Sequence, residues 1–137
     1  MANIENFKRQ HVDIRKNVSA ILDIIDGQDM DSNINELTTH INILSGRLLI
    51  HLSTEDKFLY PDLLNSTSIE IKKLAEKYIQ EMSGLANKFN DFKNRFNTKS
   101  KINSDKNAFI IELKAIFKLL EERLNREDRD LYPLLNQ

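Results

Sequence analysis

One segment of this chain is repeated 72 residues further on. His51-Leu-Ser-Thr-Glu55-Asp-Lys-Phe-Leu-Tyr-Pro61 returns as Arg123-Leu-Asn-Arg-Glu127-Asp-Arg-Asp-Leu-Tyr-Pro133. The copies agree at Leu52/Leu124, Glu55/Glu127, Asp56/Asp128, Leu59/Leu131, Tyr60/Tyr132, Pro61/Pro133 and Leu63/Leu135. Each reads as the last turns of a helix that proline then ends. Each also sets a polar pair one helical turn apart, His51 with Glu55 and Arg123 with Glu127, where the surrounding period calls for apolar residues. A match of this extent at one fixed offset implies two related helical hairpins with one polar site between them.

The rest of the chain carries the same helical period. A first helix is expected over Asn3 to Asp26, with the stripe Phe7, Ile14, Val18, Ile21 and Ile25 and with His11 inside it. Gly27 is its expected C-cap, and Gln28 to Ser32 a polar link. A second helix over Asn33 to Tyr60 opens on the capping-box pair Asn33 and Glu36. Its stripe is Leu37, Ile41, Leu44, Leu48, His51, Glu55 and Leu59, and Gly46 fits a close helix crossing. A third starts at Thr67, paired with Glu70, and buries Ile71, Leu74, Tyr78, Glu81, Leu85, Phe89, Phe92 and Phe96. A polar loop is expected over Asn97 to Ser104. The fourth helix, with Ser104 as N-cap, carries Phe109, Leu113, Ile116, Leu120, Arg123, Glu127 and Leu131 and ends at Pro133.

Only three Gly and two Pro occur in 137 residues, which favours an all-helical chain. The length suits one domain over residues 1–137. Four long helices with short links predict an all-α, antiparallel up-down-up-down four-helix bundle. In that arrangement the ends of the second and fourth helices, the start of the first and the first turns of the third share one end of the bundle. His11, His51, Glu55, Glu81, Arg123 and Glu127 then meet in one layer of the core.

The bulk numbers remove several function classes. A net charge of −1 gives no reason for nucleic-acid or acidic-membrane affinity. There is no cysteine, hence no disulfide, thiolate metal site or cysteine nucleophile. The N-terminus lacks the basic start and apolar run of a signal peptide, and no stretch approaches the roughly 20 apolar residues of a membrane span. A cytoplasmic location is the expectation. Lys88, Lys93, Arg95, Lys99 and Lys101 read as a solvated face, His40 as a surface residue, and Tyr60 and Tyr132 as packing residues at helix ends.

Three carboxylates in one buried layer need neutralising. Two divalent cations with a bridging hydroxide, held by His and Glu from facing helices, would do it, as bundles hold iron or manganese. So would Arg123 with two protonated histidines, which is a metal-free ion network in an interaction or signalling module. The Glu-x-x-His pair of ferritin-like sites is absent.

His-x-x-x-Glu followed by Asp-Lys-Phe-Leu-Tyr-Pro, with Gln10-His11 before it and Glu127-Asp-Arg-Asp-Leu-Tyr-Pro after it, resembles the hemerythrin-like (HHE cation-binding) family across the whole chain. The resemblance implies a four-helix bundle around a non-haem di-iron site that binds, senses or stores dioxygen, nitric oxide or iron. It implies His11, His51, Glu55, Glu81 and Glu127 as metal ligands, with Glu55 and Glu127 bridging. Glu81 then stands where a histidine is common. Arg123 also stands where typical members have a histidine, so that it replaces a ligand or hydrogen-bonds to the carboxylates from outside the ligand set. A peroxidase-like activity would need an acid–base pair beyond the ligands, and the sequence offers none, so a binding role is expected over an enzymatic one.

Overall fold

The computed structural model describes residues 4–27 and 30–136. The expected helix start at Asn3 and the link residues Gln28 and Asp29 lie outside them. The described residues contain no strand. The order is α1 (Ile4–Asp26), a 3-10 turn (Asp31–Asn33), α2 (Ile34–Phe58), α3 (Tyr60–Leu64), α4 (Ile69–Phe96), α5 (Lys99–Ser104) and α6 (Lys106–Arg126). A π-helical turn (Glu127–Leu131) and a 3-10 turn (Tyr132–Asn136) follow.

The long helices touch in sequence, α1 on α2, α2 on α4, α4 on α6 and α6 on α1. Side-chain partners rise along one helix as they fall along its neighbour. Gln10 meets Thr54, His11 meets His51, and Asn17 meets Arg47 and His40. Between α4 and α6, Glu81 meets Arg123, and Phe92 meets Phe109.

Two apolar clusters hold this arrangement, and a polar layer separates them. The larger contains Ile14 and Ile21 of α1, Ile41, Leu44 and Leu48 of α2, Phe89, Phe92 and Phe96 of α4, and Leu113, Leu120 and Leu124 of α6. The smaller contains Phe7, Leu59, Tyr60, Leu63, Ala75, Tyr78, Leu131 and Tyr132. Each fully buried aliphatic or aromatic side chain contributes about 1.5–3 kcal/mol, so the flanking clusters can carry the cost of what lies between them. On every long helix except α4 the switch from one cluster to the other passes through buried polar residues. These are His11 on α1, His51 and Glu55 on α2, and Arg123 and then Glu127 at the end of α6.

The stripes expected on α2 and α6 are buried throughout. On α1, Asn17 is buried and Val18 only half-buried, because Asn17 Oδ1 accepts a hydrogen bond from Arg47. On α4 the buried face is Ala75, Tyr78, Met82, Phe89, Phe92 and Phe96, which leaves Glu81 at its edge. The caps move by one residue. Ser68 rather than Thr67 caps α4, accepting from the Ile71 N–H at 3.3 Å. Asp105 rather than Ser104 caps α6, accepting from the Ala108 N–H at 3.0 Å. Asn33 precedes α2 without a side-chain cap bond. The expected loop Asn97 to Ser104 contains α5, which Thr98 caps and which buries Ile102 completely. Gly46 does not mark a close crossing, since nothing lies within 4 Å of where its Cβ would stand.

The two prolines act differently from the expected stops. Pro61 sits in the first turn of α3, where its missing N–H costs nothing. The break comes earlier, at Leu59. In the second copy the chain widens into a π turn, closed by a hydrogen bond from the Tyr132 N–H to the Glu127 carbonyl. Five-residue spacing stacks Tyr132 over Glu127, which an α-helical turn would leave on different faces.

Candidate metal centre

His11, His51, Glu55 and Glu127 are 0 % exposed, and Arg123 is 2 % exposed. α1 supplies His11, α2 supplies His51 and Glu55, α6 supplies Arg123, and the π turn supplies Glu127. The structure therefore brings five of the six layer residues together in the core. The sixth, Glu81, has a side chain that is 33 % exposed, and it meets the others only through Arg123. His40 lies apart, half-buried beside Asn17 and Glu36.

The centre of the layer is Glu127 Oε1. It lies 2.9 Å from His11 Nε2 and 3.2 Å from His51 Nε2, and the two ring nitrogens are 3.2 Å apart. One donor atom from each of these three residues falls within 4.8 Å of the others, a group that could hold a metal ion. Glu55 Oε1 lies 3.4 Å from His51 Nε2 and has no hydrogen bond. Among the described residues it is the buried side-chain polar atom left without a partner.

The far side of each ring fixes its protons. His11 Nδ1 lies 2.9 Å from Asp128 Oδ1, an atom that can only accept, so Nδ1 carries a proton. Arg15 in turn holds the other oxygen of Asp128 at 3.0 Å. His51 Nδ1 lies 2.8 Å from Gln10 Oε1, whose amide nitrogen donates to Thr54 Oγ1 at 3.1 Å. With Nδ1 protonated on both rings, each Nε2 has two options. It carries a second proton and donates to Glu127, or it presents a lone pair to a cation. Two doubly protonated rings at this separation repel one another. A cation in their place meets lone pairs from both. Rings whose outer nitrogen is tied to a carboxylate or carbonyl acceptor are the usual arrangement of metal-binding histidine.

Tyr132 closes the layer. Its hydroxyl lies 2.8 Å from His11 Nε2, 3.0 Å from Glu55 Oε2 and 3.3 Å from Glu127 Oε1. Tyr60 plays the matching part on the other side, accepting from Arg123 Nη2 at 3.2 Å. Neither tyrosine is only a packing residue. Burial, followed by the charges of Glu55 and Glu127, pushes the Tyr60 phenol far above its ordinary range. Burial and the charge of Glu127 do the same to Tyr132.

Arg123 is bonded in several directions. Nε donates to Glu127 Oε2 at 3.1 Å, Nη1 to Glu81 Oε2 at 3.2 Å, and Nη2 to the Tyr78 carbonyl at 2.6 Å. Its guanidinium carbon lies 4.2 Å from the centre of the Tyr78 ring. Arg126 shares Glu81 Oε2 at 2.8 Å.

The two carboxylates are driven apart. Burial and then the charge of Glu127 raise the Glu55 carboxyl well above the carboxylate range. Burial also acts to raise Glu127, but hydrogen bonds from His11 and His51 and the charges of His51 and Arg123 outweigh it and hold Glu127 far below that range. Glu127 is thus the carboxylate favoured as the anion of the layer, and Glu55 the one whose ionisation is opposed.

The sequence carries no signal that Asp128 and Gln10 hold the histidines, and it reads Tyr132 as a packing residue first and a hydrogen-bonding one second. Asp128 is repeated as Asp56, and Gln10 adjoins His11, but neither falls on an apolar stripe. The signal for Tyr132 was its five-residue spacing from Glu127, which reaches the layer only through a π turn.

A family model described as the hemerythrin HHE cation-binding domain matches residues 2–135. Comparison with curated proteins found no match, and neither did comparison with solved structures. The chain belongs to the hemerythrin HHE cation-binding family.

Proposed function

We propose that this member of the hemerythrin HHE cation-binding family is a single-domain, cytoplasmic iron protein that binds dioxygen or nitric oxide for sensing or storage. We propose further that its long helices form an antiparallel up-down-up-down four-helix bundle. The opposed order of side-chain partners between neighbouring helices supports that arrangement.

One observation carries the functional reading. Two imidazole Nε2 atoms and one carboxylate oxygen converge in a buried layer, while each ring's Nδ1 is held by an acceptor. His11, His51 and Glu127 are the proposed ligands, with Glu55 as the fourth donor because its Oε1 lacks any other partner. Two histidines and a carboxylate suit non-haem iron. Iron bound there would supply open coordination positions for a diatomic ligand. The chain's own residues would do the rest. Asp128 and Gln10 keep protons on Nδ1 and lone pairs on Nε2. The Phe7, Tyr132, Leu59 and Leu131 side chains exclude water from one side. Tyr132 offers a hydroxyl beside the donor set.

Anaerobic loading with ferrous iron, removal of excess and elemental analysis test the assignment. Glu55→Ala and Glu127→Ala are each expected to lose iron sharply. Unchanged iron content in both variants rules the ligand set out. Titration of the loaded protein with nitric oxide or dioxygen, followed by absorption, tests the ligand class.

A second reading, a metal-free interaction module, has one observation in its favour. Arg123 forms ion pairs with both Glu127 Oε2 and Glu81. It leaves Glu55 Oε1 and the facing ring nitrogens unexplained.

A further inference from the structure

We infer that the Arg123 guanidinium permanently occupies a second cation position, so that the layer takes one first-row divalent ion and cannot take two. The inference rests on the metal reading above and adds the number of ions and the residue that sets it.

The geometry divides Glu127 between two halves of the layer. Oε1 faces His11, His51 and Tyr132, while Oε2 faces Arg123 Nε. A carboxylate that bridges two cations uses its oxygens in this way, one to each. Here one oxygen meets the candidate ligand cluster and the other meets a guanidinium, which is always charged and has no lone pair to give. Arg123 cannot easily leave. Glu127, Glu81, the Tyr60 hydroxyl and the Tyr78 carbonyl accept its hydrogen bonds, and the Tyr78 ring covers its face.

The donors are divided in the same way. Both histidines and the free oxygen of Glu55 lie on the Oε1 side. The Oε2 side has Glu81, whose Oε2 two arginines already share, and the phenol of Tyr60. No imidazole stands there. Charge points the same way. Glu55 and Glu127 together exceed Arg123 by one negative charge, and Glu81 is matched by Arg126. One dication turns that deficit into a single positive charge, which a bound anion cancels. A second would leave several positive charges in a core with no further carboxylate.

The far side of Arg123 borders a cavity of about 280 Å³ lined also by Glu81, Gly84, Leu85, Lys88, Leu119 and Arg126. Gly84 leaves open space there, with nothing within 4 Å of a would-be Cβ. Shortening Arg123 therefore opens the second position towards this cavity.

The test counts iron and reads its magnetism after anaerobic ferrous loading and oxidation. The wild-type chain is expected to hold one iron, with the paramagnetic resonance of an isolated high-spin ferric ion. Glu81→Gln is expected to hold one as well. Arg123→His, which puts a ligand in place of the guanidinium, is expected to rise towards two, with the isolated-ion signal lost to coupling within a pair. Two irons in the wild type overturn the inference and leave the metal reading standing. One iron in both the wild type and a folded Arg123→His also overturns it, since Arg123 is then not what excludes the second ion. No iron in the wild type overturns the metal reading and this inference with it. Should Arg123→His fail to fold, Arg123→Ala loaded in the presence of imidazole takes its place, with the same rise towards two irons expected and a count of one overturning the inference.

Discussion

Replacing Glu55 with glutamine is expected to stabilise the metal-free protein at neutral pH while removing its tight iron binding. Glu55 is fully buried. Its Oε2 accepts from the Tyr132 hydroxyl at 3.0 Å, and its Oε1 accepts from nothing. Burial, and then the charge of Glu127, hold its carboxyl well above the ordinary range. A group raised in this way contributes its full stability only below the unfolded pKa, near 4.3. That contribution is lost as pH rises through the folded value. At neutral pH the chain thus either ionises Glu55 against Glu127 or keeps it protonated against the solution. A buried polar group without its partner costs about 1–3 kcal/mol. Glutamine keeps the shape and removes the charge. Its amide oxygen can take the Tyr132 bond, and its amide N–H can donate to the His51 Nε2 lone pair that faces Oε1. With a urea dependence of about 2 kcal/mol per molar, the midpoint should rise by about 0.5–1.5 M. The assay is urea unfolding in chelator at about pH 7 and again at about pH 4.5, where the gain should shrink. A Glu55→Gln chain no more stable than wild type at neutral pH, or equally favoured at both pH values, refutes the reasoning.

Three further outcomes follow from the same layer. Arg123→Leu should cost the metal-free protein about 3–5 kcal/mol by leaving the Glu127 carboxylate unpaired at Oε2 in the core; a change under about 1 kcal/mol in the unfolding midpoint analysis would contradict it. Asp128→Ala and Gln10→Ala should each weaken iron affinity by about 10–100-fold, because each releases the ring that it orients; competition with a chelator of known affinity measures this. Glu127 is held far below its ordinary range, so its stabilisation is present above the unfolded value near 4.3 and is lost as pH falls below it. Glu127→Gln should flatten that acid limb of the stability profile, read by urea midpoints of the metal-free protein.

The helices and most of the layer were legible in the sequence because they depend on one period. An apolar stripe at steps of three and four that contains a histidine or a carboxylate must bury it, and His11, His51, Glu55, Arg123 and Glu127 are all buried. Glu81 was placed by the same rule and lies at the edge. Its turn of α4 has Met82 one residue on, and the apolar side chain took the inward position while Arg123 and Arg126 drew the carboxylate outward. Helix ends were less legible. Ser68 and Asp105 displace their neighbours as caps by one residue, a choice made by backbone geometry rather than residue type. α5 was hidden because six mostly polar residues show no stripe, and its one anchor is Ile102. Asp128 and Gln10 were hidden because they act through the far nitrogen of a ring, which no spacing along one helix records.

The repeat explains why this layer is asymmetric. Both copies carry Glu-x-x-x-x-Tyr-Pro, and the chain treats them differently. After Glu55 the helix breaks at Leu59, and the Tyr60 hydroxyl turns to Arg123. After Glu127 the chain widens into a π turn, and the Tyr132 hydroxyl joins His11, Glu55 and Glu127. Each tyrosine thus serves the half of the layer built around the other copy's leading residue, His51 for Tyr132 and Arg123 for Tyr60. The leading residue is an imidazole in one copy and a guanidinium in the other. An imidazole can yield its Nε2 lone pair to a cation, whereas a guanidinium is itself the cation. Two related hairpins that differ in their leading residue produce one half built to receive a positive charge and one half that already contains it.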